Sequence, residues 1–167
     1  MQALYQKHKS KVILFLSFYF AWVLIKDIAS LLFYKTSTDY LLLKQIGFTS
    51  PTLFAGIMII LIIAELMALW FLVQPRLMGF WIAIVAVVLS AIESVAMVLI
   101  SLTDLDAARQ AYILSRQARG LSIRENAMNM IFSPNVMYVT LAFVLGFAAV
   151  LIALLVWKKE YFNEGTN

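Results

Sequence analysis

The sequence predicts an all-α membrane protein, an antiparallel bundle of four transmembrane helices. Hydrophobic residues make up 63% of the 167 residues, more than the surface of a water-soluble domain accommodates. These residues also gather in runs of about 20 or more, the length that crosses a bilayer as a helix. Four such runs cover about residues 12–34, 52–73, 77–102 and 136–157.

The chain is predicted to be a single membrane domain, residues 1–167, because its longest polar stretch is too short for a separate soluble domain. It has no cysteine, and its one histidine, His8, lies in the basic N-terminal tail. Thiolate metal sites and haem held by paired histidines are therefore excluded, and we expect no metal and no cofactor. The net charge of +4 comes mainly from residues at the ends of apolar segments. This distribution favours the lipid bilayer over nucleic acid as a partner.

The first span carries the orientation signal. Its apolar run follows a compact basic cluster of Lys7, Lys9 and Lys11, and no small-residue cleavage site follows the apolar core. The pattern predicts an uncleaved signal anchor. With cytoplasmic termini, six positive residues lie on each side of the membrane, this cluster included, so the count does not decide the orientation and the compact cluster before the first span does. It predicts cytoplasmic termini in a plasma or inner membrane.

The second and third spans are joined by only residues 74–76, so they are predicted to pair as a tight antiparallel hairpin. Under this topology Trp70, Trp81 and Trp157 fall at span ends on one side of the membrane. Such a position is typical of the aromatic belt at a membrane surface.

The connection between the third and fourth spans predicts two short interfacial helices, over about residues 103–119 and 123–132. Thr103 with Asp106 resembles a capping box at the start of the first, and Gly120 is placed to end it. Ser133–Pro134 then begins the fourth span.

Three arginines in this connection, Arg116, Arg119 and Arg124, are candidate ligands for anionic lipid head groups or for an acidic partner. The alternative is a solvated basic face that anchors an interfacial helix.

Charged residues inside the spans are the main candidate functional residues, because charge in hydrocarbon is costly. A rise of ~1.5 Å per residue places Lys26 and Glu93 at the same depth, so they are predicted to pair. The same rise per residue places Glu65 about 9 Å from Glu93 along the membrane normal, with no charged partner at its own depth. Burial favours the neutral form of Glu65, which makes it the better candidate for reversible protonation. Asp27 is interpreted as a charge that water reaches from the loop side.

Small residues follow one face of each of the last two spans, which predicts close contact with neighbouring helices. On the third span this face also carries Glu93, so Glu93 is expected to face the bundle. The two faces comprise Gly79, Ala83, Ala86 and Ser90 on the third span, and Ala142, Gly146, Ala149 and Ala153 on the fourth.

These observations favour a non-enzymatic accessory protein or subunit of a membrane complex, which binds a protein partner or a second copy through helix contacts. The alternative is a small oligomeric transporter or channel in which Glu65 and Glu93 carry protons or cations. A second alternative is an intramembrane enzyme, although no catalytic residue is predicted because Ser90 has no neighbouring base. The buried polar residues common to these hypotheses are Lys26, Asp27, Glu65, Ser90 and Glu93.

Overall fold

The computed structural model describes residues 11–163, and over that range the chain is all-helical. Four of its helices are long and apolar enough to cross a membrane, and their ends lie within two residues of the predicted spans. These are α1 (Lys11–Leu32), α3 (Pro51–Val73), α4 (Leu77–Thr103) and α7 (Pro134–Trp157). The shorter helices are α2 (Thr38–Gln45), α5 (Leu105–Ala118), α6 (Glu125–Ile131) and α8 (Lys159–Asn163). Lys7, His8 and Lys9 lie outside the described residues.

Local sequence signals set the helix ends in the third connection. Gly120 ends α5 with a φ of 67°, a left-handed conformation that glycine adopts without strain. The predicted capping box is wrong by one residue. The Asp104 side chain caps α5 by accepting a hydrogen bond of 2.8 Å from the Ala107 N–H, while the Thr103 hydroxyl donates to the Ile100 carbonyl within α4. One residue between the two helices is therefore enough to stop α4 and start α5.

The four long helices form a bundle with an apolar core. Ile13 and Leu16 near the start of α1 share this core with Leu72 at the end of α3, and Leu151 joins it from α7. At the opposite end of the bundle, Leu31 packs in a second cluster with Phe54, near the start of α3. The beginning of α1 therefore lies beside the end of α3.

The short helix α8 closes the first end of the bundle. Phe162 is fully buried against Phe80 of α4, with ring centroids 6.0 Å apart. The Tyr161 hydroxyl donates a hydrogen bond of 2.6 Å to the Leu72 carbonyl of α3.

The opposite end carries a layer of short helices. α2 packs against α5, with Leu42 buried beside Ala108 and Ala111. The Ser115 hydroxyl of α5 donates a hydrogen bond of 2.6 Å to the Thr36 carbonyl, in the turn before α2. The two short helices predicted in the third connection are found as α5 and α6. Helix α2 was not predicted as a helix.

The two faces of small residues, on α4 and α7, differ in their burial. On α4, Gly79, Ala83, Ala86 and Ser90 are all buried, as predicted. On α7 the prediction is wrong within this chain, because Ala142, Gly146, Ala149 and Ala153 are exposed. Helix α7 instead buries larger residues on another face, among them Met137, Leu151 and Leu155. Since α7 is apolar on every side, its hydropathy does not distinguish the packing face.

Gly79 marks a close approach of α3 and α4, because a β-carbon there would collide with the Phe71 side chain. We expect Gly79→Ala to lower the free energy of unfolding by about 1–3 kcal/mol through overpacking. Thermal unfolding in detergent measures this loss. Gly146→Ala is the matched control, since a β-carbon at Gly146 would meet nothing within 4 Å and alanine favours a helix. Equal melting temperatures for the two variants would contradict the close approach.

Candidate functional site

A cluster of charged side chains joins α1, α3 and α4 near the middle of the bundle. The Lys26 ammonium lies 3.3 Å from Glu93 Oε2 and 3.0 Å from Asp27 Oδ1. The predicted pairing of Lys26 with Glu93 is therefore confirmed. The contact with Asp27 is electrostatic, because its approach does not make a hydrogen bond. Lys26 remains 41% exposed, whereas the Glu93 side chain is only 9% exposed.

Asp27 and Glu65 form the buried end of this cluster. Each is 1% exposed, and their carboxyl groups lie within hydrogen-bonding reach of each other. None of their four carboxyl oxygens has a hydrogen-bond partner among residues 11–163. Two predictions are therefore wrong: Glu65 has a neighbour, and Asp27 is not a water-exposed charge.

Side-chain direction explains the contact between Asp27 and Glu65. In a helix each side chain leans towards the N-terminus of its own helix. Because the beginning of α1 lies beside the end of α3, the Asp27 and Glu65 side chains lean towards each other. The depth estimate from the sequence used backbone positions alone, so it placed Glu65 too far from any charged group.

The charges of this cluster do not balance. One ammonium, Lys26, faces three carboxyl groups: Asp27, Glu65 and Glu93. Two adjacent buried carboxyl groups do not both ionise readily, since like charges repel and burial disfavours charge. A single proton between Asp27 and Glu65 would relieve this repulsion and would also supply the hydrogen bond that both groups lack, because a protonated oxygen donates to the other carboxylate.

Two neighbours extend the cluster. The Tyr19 hydroxyl of α1 reaches Ser90 of α4, and it also interacts electrostatically with Glu65 and Lys26. Asp39 of α2 interacts with Lys26 from the layer of short helices, and burial raises the pKa of the Asp39 carboxyl although the Lys26 charge opposes this shift. Asp39 was not predicted as a residue of the site. The signal for Asp39 in the sequence is that it is the one acidic residue in the connection between the first and second spans.

Lys26 lines two clefts. The first, of about 300 Å³, opens among the short helices and is lined mainly by polar residues, among them Asp39, Arg119 and several with hydroxyl groups. The second, of about 410 Å³, lies between α1, α4 and α7 and includes Ser90 but neither Glu65 nor Glu93. The first cleft thus connects the charged cluster with the layer of short helices.

The three arginines are not gathered into one site. Arg116 donates from Nε to the Ser122 carbonyl and stacks over the Tyr112 ring, 5.8 Å from its centroid. Arg119 donates to the Ser115 hydroxyl at 2.7 Å and lines the polar cleft that reaches Lys26. Arg124 shares a different cleft, of about 310 Å³, with Arg116. The guanidinium groups of Arg116 and Arg119 therefore hold the end of α5.

Residues 11–163 contain no group of three or more His, Cys, Asp or Glu side chains arranged to hold a metal ion. Comparisons of this chain with protein families, with characterised proteins and with solved structures find no match.

Proposed function

We propose that this chain is a small proton-coupled transporter or channel that binds and releases a proton at the Asp27–Glu65 pair. The observation that supports it is the buried pair itself, two carboxyl groups in mutual reach and without a donor from residues 11–163. With one shared proton the pair carries a single charge and an internal hydrogen bond. Without that proton it carries two adjacent charges, a much less stable state in a buried site.

The membrane arrangement is part of the same proposal. Helices α1, α3, α4 and α7 cross a plasma or inner membrane as an antiparallel four-helix transmembrane bundle. The short helices α2, α5 and α6 lie at the interface on the far side, and the termini are cytoplasmic. The contacts between the start of α1, the end of α3 and α8 support this arrangement. Lys11, Lys158 and Lys159 then lie at the cytoplasmic surface, where basic residues are favoured.

Lys26 gives the pair a counter-ion that is already in place. Its ammonium lies close to both Asp27 and Glu93, so a small movement of the flexible lysine side chain shifts its charge from one carboxylate to the other. This movement stabilises the pair when it loses its proton. The polar cleft with Asp39 provides the approach from the far side.

The apolar core closes the other side of the pair. Phe20 and Ala68 are fully buried between the pair and the end of the bundle that carries α8. Release of a proton towards that side therefore requires α3 to move relative to α1, or a path at a contact between two copies of the chain. The proposal accordingly favours alternating exposure of the pair over a permanently open pore.

Infrared spectroscopy tests whether the pair holds a proton. For the protein in lipid nanodiscs we expect an acid-minus-base difference spectrum with a carboxylic acid band that shifts in D₂O. Glu65→Gln should remove this band, because glutamine has no titrating proton. Glu125→Gln, at an exposed position of α6, is the control and should keep it. A band of full intensity in Glu65→Gln would assign the proton to another group and overturn the proposal.

A second candidate function is that of an accessory subunit. One observation favours it: only 11% of the most apolar segment of α7 is buried, and its small residues face outward. Small residues let helices approach closely in a membrane, so this face suits a helix of a partner or of a second copy. An accessory subunit would lose assembly, and not proton flux, when its buried charges are changed. Measurement of proton uptake into proteoliposomes therefore distinguishes the two functions.

A further inference from the structure

The lateral cleft of about 410 Å³ has aromatic walls and opens to the outside of the bundle. Phe18 and Trp22 of α1 and Phe143 of α7 are each more than half exposed at its mouth. Phe147 of α7 lies deeper, with its ring centroid 5.7 Å from that of Tyr19. In a membrane this mouth faces the acyl chains of the lipids.

The polar residues of the cleft are all hydrogen-bond donors. They are Lys26 and Tyr19 on α1, and Ser90 and Ser94 on α4, while Asp27, Glu65 and Glu93 are absent from its wall. Lys26 and Ser94 lie towards the layer of short helices. The wall towards the other end consists of apolar residues such as Phe15, Val87 and Leu151. The cleft therefore has a donor-rich end and an apolar end.

We propose that this cleft binds a single-tailed long-chain carboxylic acid, with its head at Lys26 and its tail along the aromatic wall. The positive charge and three hydroxyl groups complement a carboxylate, and the partial exposure of Lys26 leaves its ammonium accessible from the cleft. The volume is near the lower limit for small-molecule sites, which suits one chain better than two. An amphiphile with a cationic head would be repelled by Lys26.

Charge balance determines the form in which the ligand enters. Lys26 is already faced by Asp27, Glu65 and Glu93, and by Asp39 from α2, so adding a further anion alone is unfavourable. The neutral acid avoids this cost. Its O–H bond breaks, its carboxylate takes the place of the Glu93 carboxylate beside Lys26, and its proton forms a new O–H bond on Glu93. The net charge is unchanged by entry of the acid.

This site goes beyond the proposed proton pair, because it uses Lys26 and Glu93 rather than Asp27 and Glu65. Fluorescence of Trp22 tests it, in a variant with Trp70, Trp81 and Trp157 changed to Phe and placed in nanodiscs of unbrominated lipid. A long-chain carboxylic acid with bromine atoms on its tail should quench Trp22 in a saturable manner. A brominated alkyl trimethylammonium of the same length should not. Equal quenching by both probes, or quenching without saturation, would show simple partition into the lipid and overturn the site.

Two substitutions complete the test. Ala91→Phe fills the cleft from α4 and should abolish saturable quenching, whereas Ala142→Phe on the exposed face of α7 should leave it unchanged. Lys26→Met should weaken binding by about tenfold or more, and Lys26→Arg should restore most of it. If Lys26→Met does not fold, Ala91→Phe alone decides, since it leaves the charges intact. Saturable quenching without proton flux would support this site and reject the proposed function. Proton flux without saturable quenching would support the proposed function and reject this site.

Discussion

We expect Glu65→Gln to abolish proton uptake driven by a pH gradient into proteoliposomes, while the protein keeps its helix content and a near wild-type melting temperature. This result is expected because glutamine has no proton to release, yet its amide N–H still donates a hydrogen bond to the Asp27 carboxylate. The buried pair thus keeps a hydrogen bond but can no longer bind and release a proton at Glu65. Uptake is measured with a pH-sensitive dye inside the vesicles, and we expect it to fall to the level of protein-free vesicles.

Two further variants make this measurement specific. Asp27→Asn should reproduce the loss, because it removes the other half of the pair, and Glu125→Gln should keep full uptake because it lies exposed on α6. Uptake that persists in both Glu65→Gln and Asp27→Asn would reject proton transport. If the same variants instead reduced the size of the assembled complex, the accessory function would be favoured.

We expect Lys26→Met to destabilise the bundle, and Glu93→Gln in the same chain to restore much of the loss. The single change leaves the charges of Asp27 and Glu93 without their counter-ion. Removing one partner of a fully buried pair costs about 3–5 kcal/mol. Because Lys26 is 41% exposed and partly screened, we expect about 1–3 kcal/mol here. The double change replaces the ion pair by two neutral groups, so its cost should be smaller than the sum of the single changes.

A double-mutant cycle from denaturant unfolding in detergent measures this coupling between Lys26 and Glu93. Lys44→Met, at an exposed position in the last turn of α2, controls for the loss of one positive charge. Additive effects of the two changes at Lys26 and Glu93 would mean that the pair contributes no coupling energy.

Much of the fold follows from hydropathy along the chain. The four long helices were predicted to within two residues at each end, because a run of about 20 apolar residues has few alternatives to a transmembrane helix. The pairing of Lys26 with Glu93 was predictable for a related reason. Both residues lie at a similar distance from their span centres, and opposite charges in an apolar setting have few other partners.

The Asp27–Glu65 contact was not predictable from depth alone. Depth along a helix axis ignores the direction in which a side chain leans and the order in which helices pack. Asp27 follows Lys26 directly, so the sequence did not indicate that only one of them would be buried. The side chains of these neighbours leave the helix about 100° apart, and that rotation places Asp27 against α3 while Lys26 remains partly exposed.

The outward face of α7 and the divided arginines show two further limits. On a helix that is apolar on every side, small residues indicate a surface suited to close helix contact. They do not indicate whether the contacting helix belongs to the same chain or to another one. The three arginines are close in sequence, but Arg116 and Arg124 line one cleft while Arg119 lines another. Nearness in sequence therefore did not bring all three side chains to one site.

The hydrogen bond from Tyr161 to the Leu72 carbonyl has a consequence for biosynthesis. Leu72 is in the last turn of α3, where carbonyl groups have no partner within the helix. Its partner, Tyr161 of α8, lies 89 residues later in the chain, so the ribosome makes it well after α3. The hairpin of α3 and α4 is therefore synthesised before its cap, and the last described helix completes the pair of helices that is joined by a tight turn.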